Sequence, residues 1–135
     1  MKKLHLVSRF SIYLLAIVFF SFGVFHFRSP HDLLVYVPQF LPGGILWVYL
    51  VGSSFILGAI ALVTNNWVKI AGYLLAALLI VFVLAIHIPN YLHAGDKEMQ
   101  QMALINVLKD TAIACFALHI AAGAHHQKLH LEEAD

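Results

Sequence analysis

Ile70–Ile88 reads IAGYLLAALLIVFVLAIHI, 19 residues without one Asp, Glu, Lys or Arg. As a helix it would be about 28 Å long at about 1.5 Å per residue, close to the about 30 Å thickness of a bilayer's hydrocarbon core. So long an uncharged stretch reads as a membrane span. Three more apolar runs lie around it: Phe10–Phe27, Ile45–Thr64 and Ala103–Ala124. The 135 residues are 61% hydrophobic and 11% charged, against about 25% charged in a soluble domain. Mean hydropathy is +0.85. The expected fold is therefore all-α: an integral membrane, antiparallel four-helix bundle in one domain, residues 1–124, followed by a polar tail at 125–135. A net charge of +1 argues against nucleic acid as a partner. A lone cysteine, Cys115, excludes an intramolecular disulfide and a dithiol redox motif. It is expected to be an inert packing residue in an alanine-rich stretch.

The first run follows Lys2, Lys3 and Arg9. A cleaved signal peptide competes with a retained span there. The run of 18 residues exceeds the usual apolar limit of about 15, and no A-x-A site follows, so the span is preferred. Arg28–Gly44 carries Pro30, Pro38 and Pro42, which exclude a spanning helix in lipid. Its apolar residues Leu33–Val37 and Phe40 predict a segment at the interface, with one short helix packed over the mouth of the bundle. Tyr36 and Trp47 fit an aromatic belt. Small residues in the first span (Ser11, Ser21, Gly23) and the second (Gly52, Ser53, Ser54, Gly58, Ala59) favour close helix contact. Pro89 predicts a helix end near His87 or Ile88. A polar outer loop is then expected from Asn90 to Met102. Asp96 and Glu98 stand near the start of the fourth helix, where the macrodipole favours negative charge.

Orientation follows from the basic residues. Lys2, Lys3, Arg9, Lys69 and Lys128 fall on one side, Arg28 and Lys97 on the other. The positive-inside rule then puts both termini in the cytoplasm. Span four enters from outside, so Asn106, Lys109 and Asp110 are expected roughly 5–11 Å below the outer boundary. His26, His87 and Asn90 are expected in the same layer. Ionisable residues inside a span are costly, about 2.5–3.5 kcal/mol each at the centre on insertion scales, and mark either structure or function. Two readings stay open. Lys109, Asp110 and Asn106 form a structural clamp, or they floor a ligand pocket walled by His26 and His87 and covered by the first loop.

No ligand spacing for a metal is present among His26, His31, His87 and His93. His87 and His119 stand near opposite sides and cannot share a haem iron. His119 is expected to hydrogen-bond within the bundle. His125, His126 and His130 read as tail solvation or adventitious metal binding. No phosphate loop, serine elbow or paired carboxylate site is visible.

Several of these pieces together resemble a known family. Gly23-Val24-Phe25-His26-Phe27 ends the first span, and Val37-Pro38-Gln39-Phe40-Leu41-Pro42 follows in the loop. The second span carries Gly52-Ser53-Ser54-Phe55-Ile56-Leu57-Gly58-Ala59. The third ends His87-Ile88-Pro89-Asn90, and the fourth contains Leu108-Lys109-Asp110. In order and spacing this resembles the DoxX-like family of small four-helix membrane proteins, over roughly residues 8 to 124. One departure is Phe55, where the family pattern often has a glutamate. Asp110, or a loop acid such as Asp32, must then balance Lys109. The resemblance implies a multi-pass protein of the bacterial inner membrane, of a type linked to thiosulfate:quinone oxidoreductase subunits. The leading expectation is an accessory subunit that binds a quinone-like or lipid ligand near the outer leaflet, through Lys109, Asp110, Asn106, His26, His87 and Asn90. Its partners would be membrane lipid, a redox protein and further copies of the chain. The side chains encode no redox centre, so an enzyme would need a bound quinone, flavin or partner. A small-solute transporter and a membrane scaffold or chaperone are the alternatives. Four spans with no internal repeat leave little room for alternating access.

Overall fold

The structure is a computed structural model; it describes the backbone of residues 2–132 and the side chains of residues 7–124. Lys2, Lys3, Lys128, His125, His126 and His130, used above, lie outside the described side chains. The elements are α1 (Lys2–Arg28), α2 (Pro30–Leu33) with a 3-10 turn (Leu34–Tyr36), α3 (Ile45–Thr64), α4 (Val68–Phe82), a π-turn (Val83–His87), α5 (Ile88–Leu92) and α6 (Lys97–Glu132). No strand occurs among the described residues. Among the described residues, four helical stretches are long and apolar enough to cross a membrane: Val7–Arg28, Ile45–Thr64, Val68–Leu92 and Lys97–Ala124. Large apolar side chains lie exposed along them, Leu46, Leu57, Leu74, Leu84 and Leu108 among others. Such a surface is a liability in water and is ordinary against lipid. The hydroxyls of Ser11, Ser21, Ser54, Thr64 and Thr111 each donate to the carbonyl four residues back, which satisfies them inside their own helices.

The chain divides into two compact units, Met1–Ala71 and Gly72–Asp135. In the first, α1 and α3 pack through an aromatic core. Phe55 is buried and stacks on Phe19, with ring centroids 5.7 Å apart. Phe22 and His26 also lie against it, at 5.8 and 5.6 Å. Phe27 stacks on Tyr49 at 5.5 Å. Partners on α3 descend in number as those on α1 rise, so this pair of helices is antiparallel. Gly23 and Gly52 permit the close approach. A Cβ on Gly23 would stand 2.9 Å from the Gly52 carbonyl oxygen, and one on Gly52 would stand 2.6 Å from His26 Cβ. Without a hydrophobic force between helices in lipid, this kind of close packing is what holds them together.

The connection from α1 to α3 contains the short helix expected there. Leu33 and Leu34 are half-buried, but Val35 and Phe40 are 78% and 80% exposed. The described residues therefore leave Val35, Tyr36 and Phe40 uncovered and cover Leu33, Leu34 and Val37 in part. Gly43 and Gly44 have positive φ (93° and 37°), a region glycine enters without steric cost. Trp47 Nε1–H then donates to the Pro42 carbonyl at 2.8 Å and ties the loop to the first turn of α3. Asn65 ends α3 in the left-handed conformation, φ 55°, a common helix stop.

In the second unit, Gly72 of α4 lies against Ala117 and Ala121 of α6; a Cβ there would stand 2.8 Å from Ala121 Cβ and 2.9 Å from the Ala117 carbonyl oxygen. The buried residues of α6 include Ala103, Asp110, Ala114, Ala117 and Ala121, with Ile120 beside them. Ile120 apart, they recur at three-, four- and seven-residue intervals, a stripe along one helix face. Cys115 falls off that stripe and is exposed rather than packed. His119 is exposed too and makes no hydrogen bond among the described residues, so the expected bond within the bundle is absent there.

Several boundaries differ from the sequence reading; α1 begins at Lys2 rather than Phe10 and α4 at Val68 rather than Ile70. The third span runs past Pro89 to Leu92, because the π-turn absorbs the proline. The second outer loop shrinks to residues 93–96. Asp96 Oδ1 accepts the Met99 N–H at 2.8 Å, an N-cap that starts α6 at Lys97 rather than Ala103. The α6 backbone also continues beyond Ala124 to Glu132.

Candidate functional site

Pro89 has no N–H to give to the carbonyl four residues earlier. The helix responds one step upstream: the Ile88 N–H bonds Val83 O, five residues back, closing the wide turn Val83–His87. One extra residue in the turn shifts the phase of the helix beyond it by about 100°, one residue's share of a helical turn. His87 is the last residue of that turn. Its Nε2 lies 3.0 Å from Asp110 Oδ2.

Asp110 is on the buried stripe of α6, its side chain 7% exposed, and His87's is 12% exposed. The other carboxylate oxygen, Oδ1, is 3.5 Å from Lys109 Nζ. Lys109 Nζ also donates to Asn106 Oδ1, one helical turn away, at 3.1 Å. Lys109 stands at the edge of the stripe, with its side chain 44% exposed. The carboxylate thus receives the imidazole on one oxygen and faces the ammonium on the other. No buried polar side-chain atom among the described residues lacks a hydrogen-bond partner. A buried carboxylate held by two such groups is strongly ordered, and losing its partners costs several kcal/mol.

The structure thus brings together His87, Asn106, Lys109 and Asp110, all in the second unit. Asn90 is exposed on α5 and its side chain takes no hydrogen bond among the described residues. His26 belongs to the first unit. Its Nδ1 is 2.7 Å from the Phe22 carbonyl oxygen, and its ring stands edge-on to Phe55. Phe55, where an acid was to be looked for, fills the centre of an aromatic cluster. Asp110 is accordingly the acid that meets Lys109. The π-turn went unread in the sequence; its one signal was Pro89, two residues after His87, inside an otherwise unbroken apolar run. Among the described residues no three His, Cys, Asp or Glu side chains gather as a metal site.

The cluster offers hydrogen-bond donors and acceptors on helices long enough to cross a membrane. A head group with polar oxygens on an apolar body is the kind of molecule such a place can orient.

No curated protein and no solved structure matches the chain. The model of one family, described as a domain of unknown function (DUF8561), matches residues 15–126. That stretch takes in the second unit's polar cluster and the aromatic core of the first. The chain belongs to the DUF8561 family.

Proposed function

We propose that this chain is an accessory subunit of DoxX-like type in the bacterial inner membrane. In this reading it is an antiparallel four-helix bundle with both termini in the cytoplasm. It binds a quinone-like or lipid ligand near the outer leaflet and supports a redox partner. The observation that carries the reading is the cluster His87–Asp110–Lys109–Asn106 on membrane-length helices. Charged groups at such positions are costly and are kept where they pair or meet a polar ligand. Lys109 is nearly half exposed, so the cluster is not sealed as a purely internal clamp would be. Its ammonium can donate to a ligand oxygen while Asp110 and Asn106 hold its position. The DoxX-like reading is supported by the order of the motifs from Gly23 to Asp110.

The test is chemical. The protein is solubilised gently, extracted with organic solvent, and its small molecules identified by mass spectrometry. The reading expects a quinone, or one lipid class far above its share of the membrane, in near-stoichiometric amount. Bulk phospholipid alone, in membrane proportions, contradicts it and favours a scaffold acting through helix contacts.

A further inference from the structure

Of His87's two ring nitrogens, the described structure engages one. Nε2 lies 3.0 Å from Asp110 Oδ2. Nδ1 takes no hydrogen bond among the described residues, and it is not sealed in, because no fully buried side-chain nitrogen or oxygen among them is unpartnered. An ionised carboxylate can only accept, so the shared proton belongs to Nε2. One ammonium, Lys109, already faces one carboxylate, Asp110. A neutral imidazole leaves the cluster without net charge, the arrangement least costly on a membrane span. In a neutral ring the hydrogen bond at one nitrogen fixes the role of the other. With the proton on Nε2, Nδ1 presents a bare lone pair.

We propose that Nδ1 of His87 is the hydrogen-bond acceptor of the site, and that the site prefers a hydroxyl-bearing, quinol-like head group to the carbonyl form. This rests on the reading of the cluster as a quinone-type site. A phenolic O–H donates to Nδ1 and its oxygen still accepts from a neighbouring donor. A quinone carbonyl brings acceptors only, so against Nδ1 it sets lone pair against lone pair and leaves both unpaired. An unpaired polar group in a desolvated site costs about 1–3 kcal/mol, which is a preference of about five- to 150-fold. Asp110 is then a positioning residue: it fixes the tautomer and touches no ligand.

The full chain in lipid nanodiscs is titrated with a decyl-substituted benzoquinone and, separately, with its hydroquinone kept reduced. 15N spectra of histidine-labelled protein report the tautomer of His87, assigned by loss of its signals in His87→Gln. That variant sets an amide N–H where Nε2 stands and no acceptor at Nδ1. The expected results are an unprotonated Nδ1 in the free protein, hydroquinone binding about tenfold tighter than quinone, and a ratio near one in His87→Gln. The wild-type affinity ratio decides the matter even if the variant fails to fold. Equal affinity, tighter quinone binding or a protonated Nδ1 overturns the inference and leaves the quinone-type reading standing. Binding of neither form above empty nanodiscs overturns both.

Discussion

Asp110, the buried acid of α6, lies closer to His87, 23 residues away in sequence, than to Lys109 beside it: 3.0 Å against 3.5 Å. The histidine is the carboxylate's main partner, and the lysine is the exposed flank of the pair.

That asymmetry predicts unequal single variants. Asp110→Leu strips the buried His87 Nε2 of its acceptor and Lys109 of its carboxylate, and should destabilise the protein by about 3 kcal/mol or more, as breaking a buried pair does. Lys109→Met leaves Asp110 bonded to His87 and removes a group already 44% exposed; its cost should be about 1 kcal/mol or less. Reversible unfolding in mixed micelles measures both. Equal losses for the two variants would show that the lysine, not the histidine, stabilises the acid.

Pro89 is predicted to set the position of His87. Pro89→Ala restores an N–H, allows the π-turn to close into ordinary α-helix, and swings His87 by about 100° relative to the residues beyond it. The coupling between His87 and Asp110, measured by a double-mutant cycle, should be clear in the wild-type background and near zero with Pro89→Ala. An unchanged coupling would mean that the neighbouring helix, rather than the proline, fixes the turn.

The glycines give a test with a reversed sign. In a helix Gly→Ala ordinarily stabilises by up to about 1 kcal/mol. Gly123, where an added Cβ has nothing within 4 Å among the described residues, should behave that way. Gly23→Ala sets a methyl 2.5 Å from Ile56 Cγ1 and 2.9 Å from a backbone oxygen, so it should cost about 1–3 kcal/mol through overpacking. Thermal melts of the two variants in detergent should shift in opposite directions.

The four long apolar helices were legible because apolar length alone announces them, as Ile70–Ile88 does. Their ends were less so. The sequence reading let Pro89 stop the third span, yet a π-turn accommodates it. It began the fourth at Ala103, yet the Asp96 cap starts α6 six residues earlier, at Lys97. Lys109, Asp110 and Asn106 announced themselves as polar residues in an apolar run. Their tie to His87 depends on helix phase, and a one-residue π-turn changes phase without changing composition. Phe55 read as a missing acid; its role as the centre of an aromatic cluster needed the packing of α1 on α3.

Orientation is open to labelling. With Cys115 replaced, single cysteines at the exposed positions Lys69 and Lys97 are treated on intact cells with an impermeant thiol reagent. The lysine and arginine asymmetry predicts label at Lys97 and none at Lys69. The opposite pattern would place both termini outside and move the polar cluster away from the outer leaflet.

The most direct test of the cluster as a ligand site is the double variant Lys109→Met with Asp110→Leu. Removing both charges leaves no lone ion behind, and only the His87 Nε2–H loses its acceptor, so the variant should lose less stability than Asp110→Leu alone and retain its helical content. Its extracted small molecules, quantified beside those of the wild type by mass spectrometry, decide the matter. The account predicts loss of the bound quinone-like or lipid ligand, by about tenfold or more. A folded double variant that carries the same ligand in the same amount would contradict it and leave His87, Lys109 and Asp110 as a structural clamp.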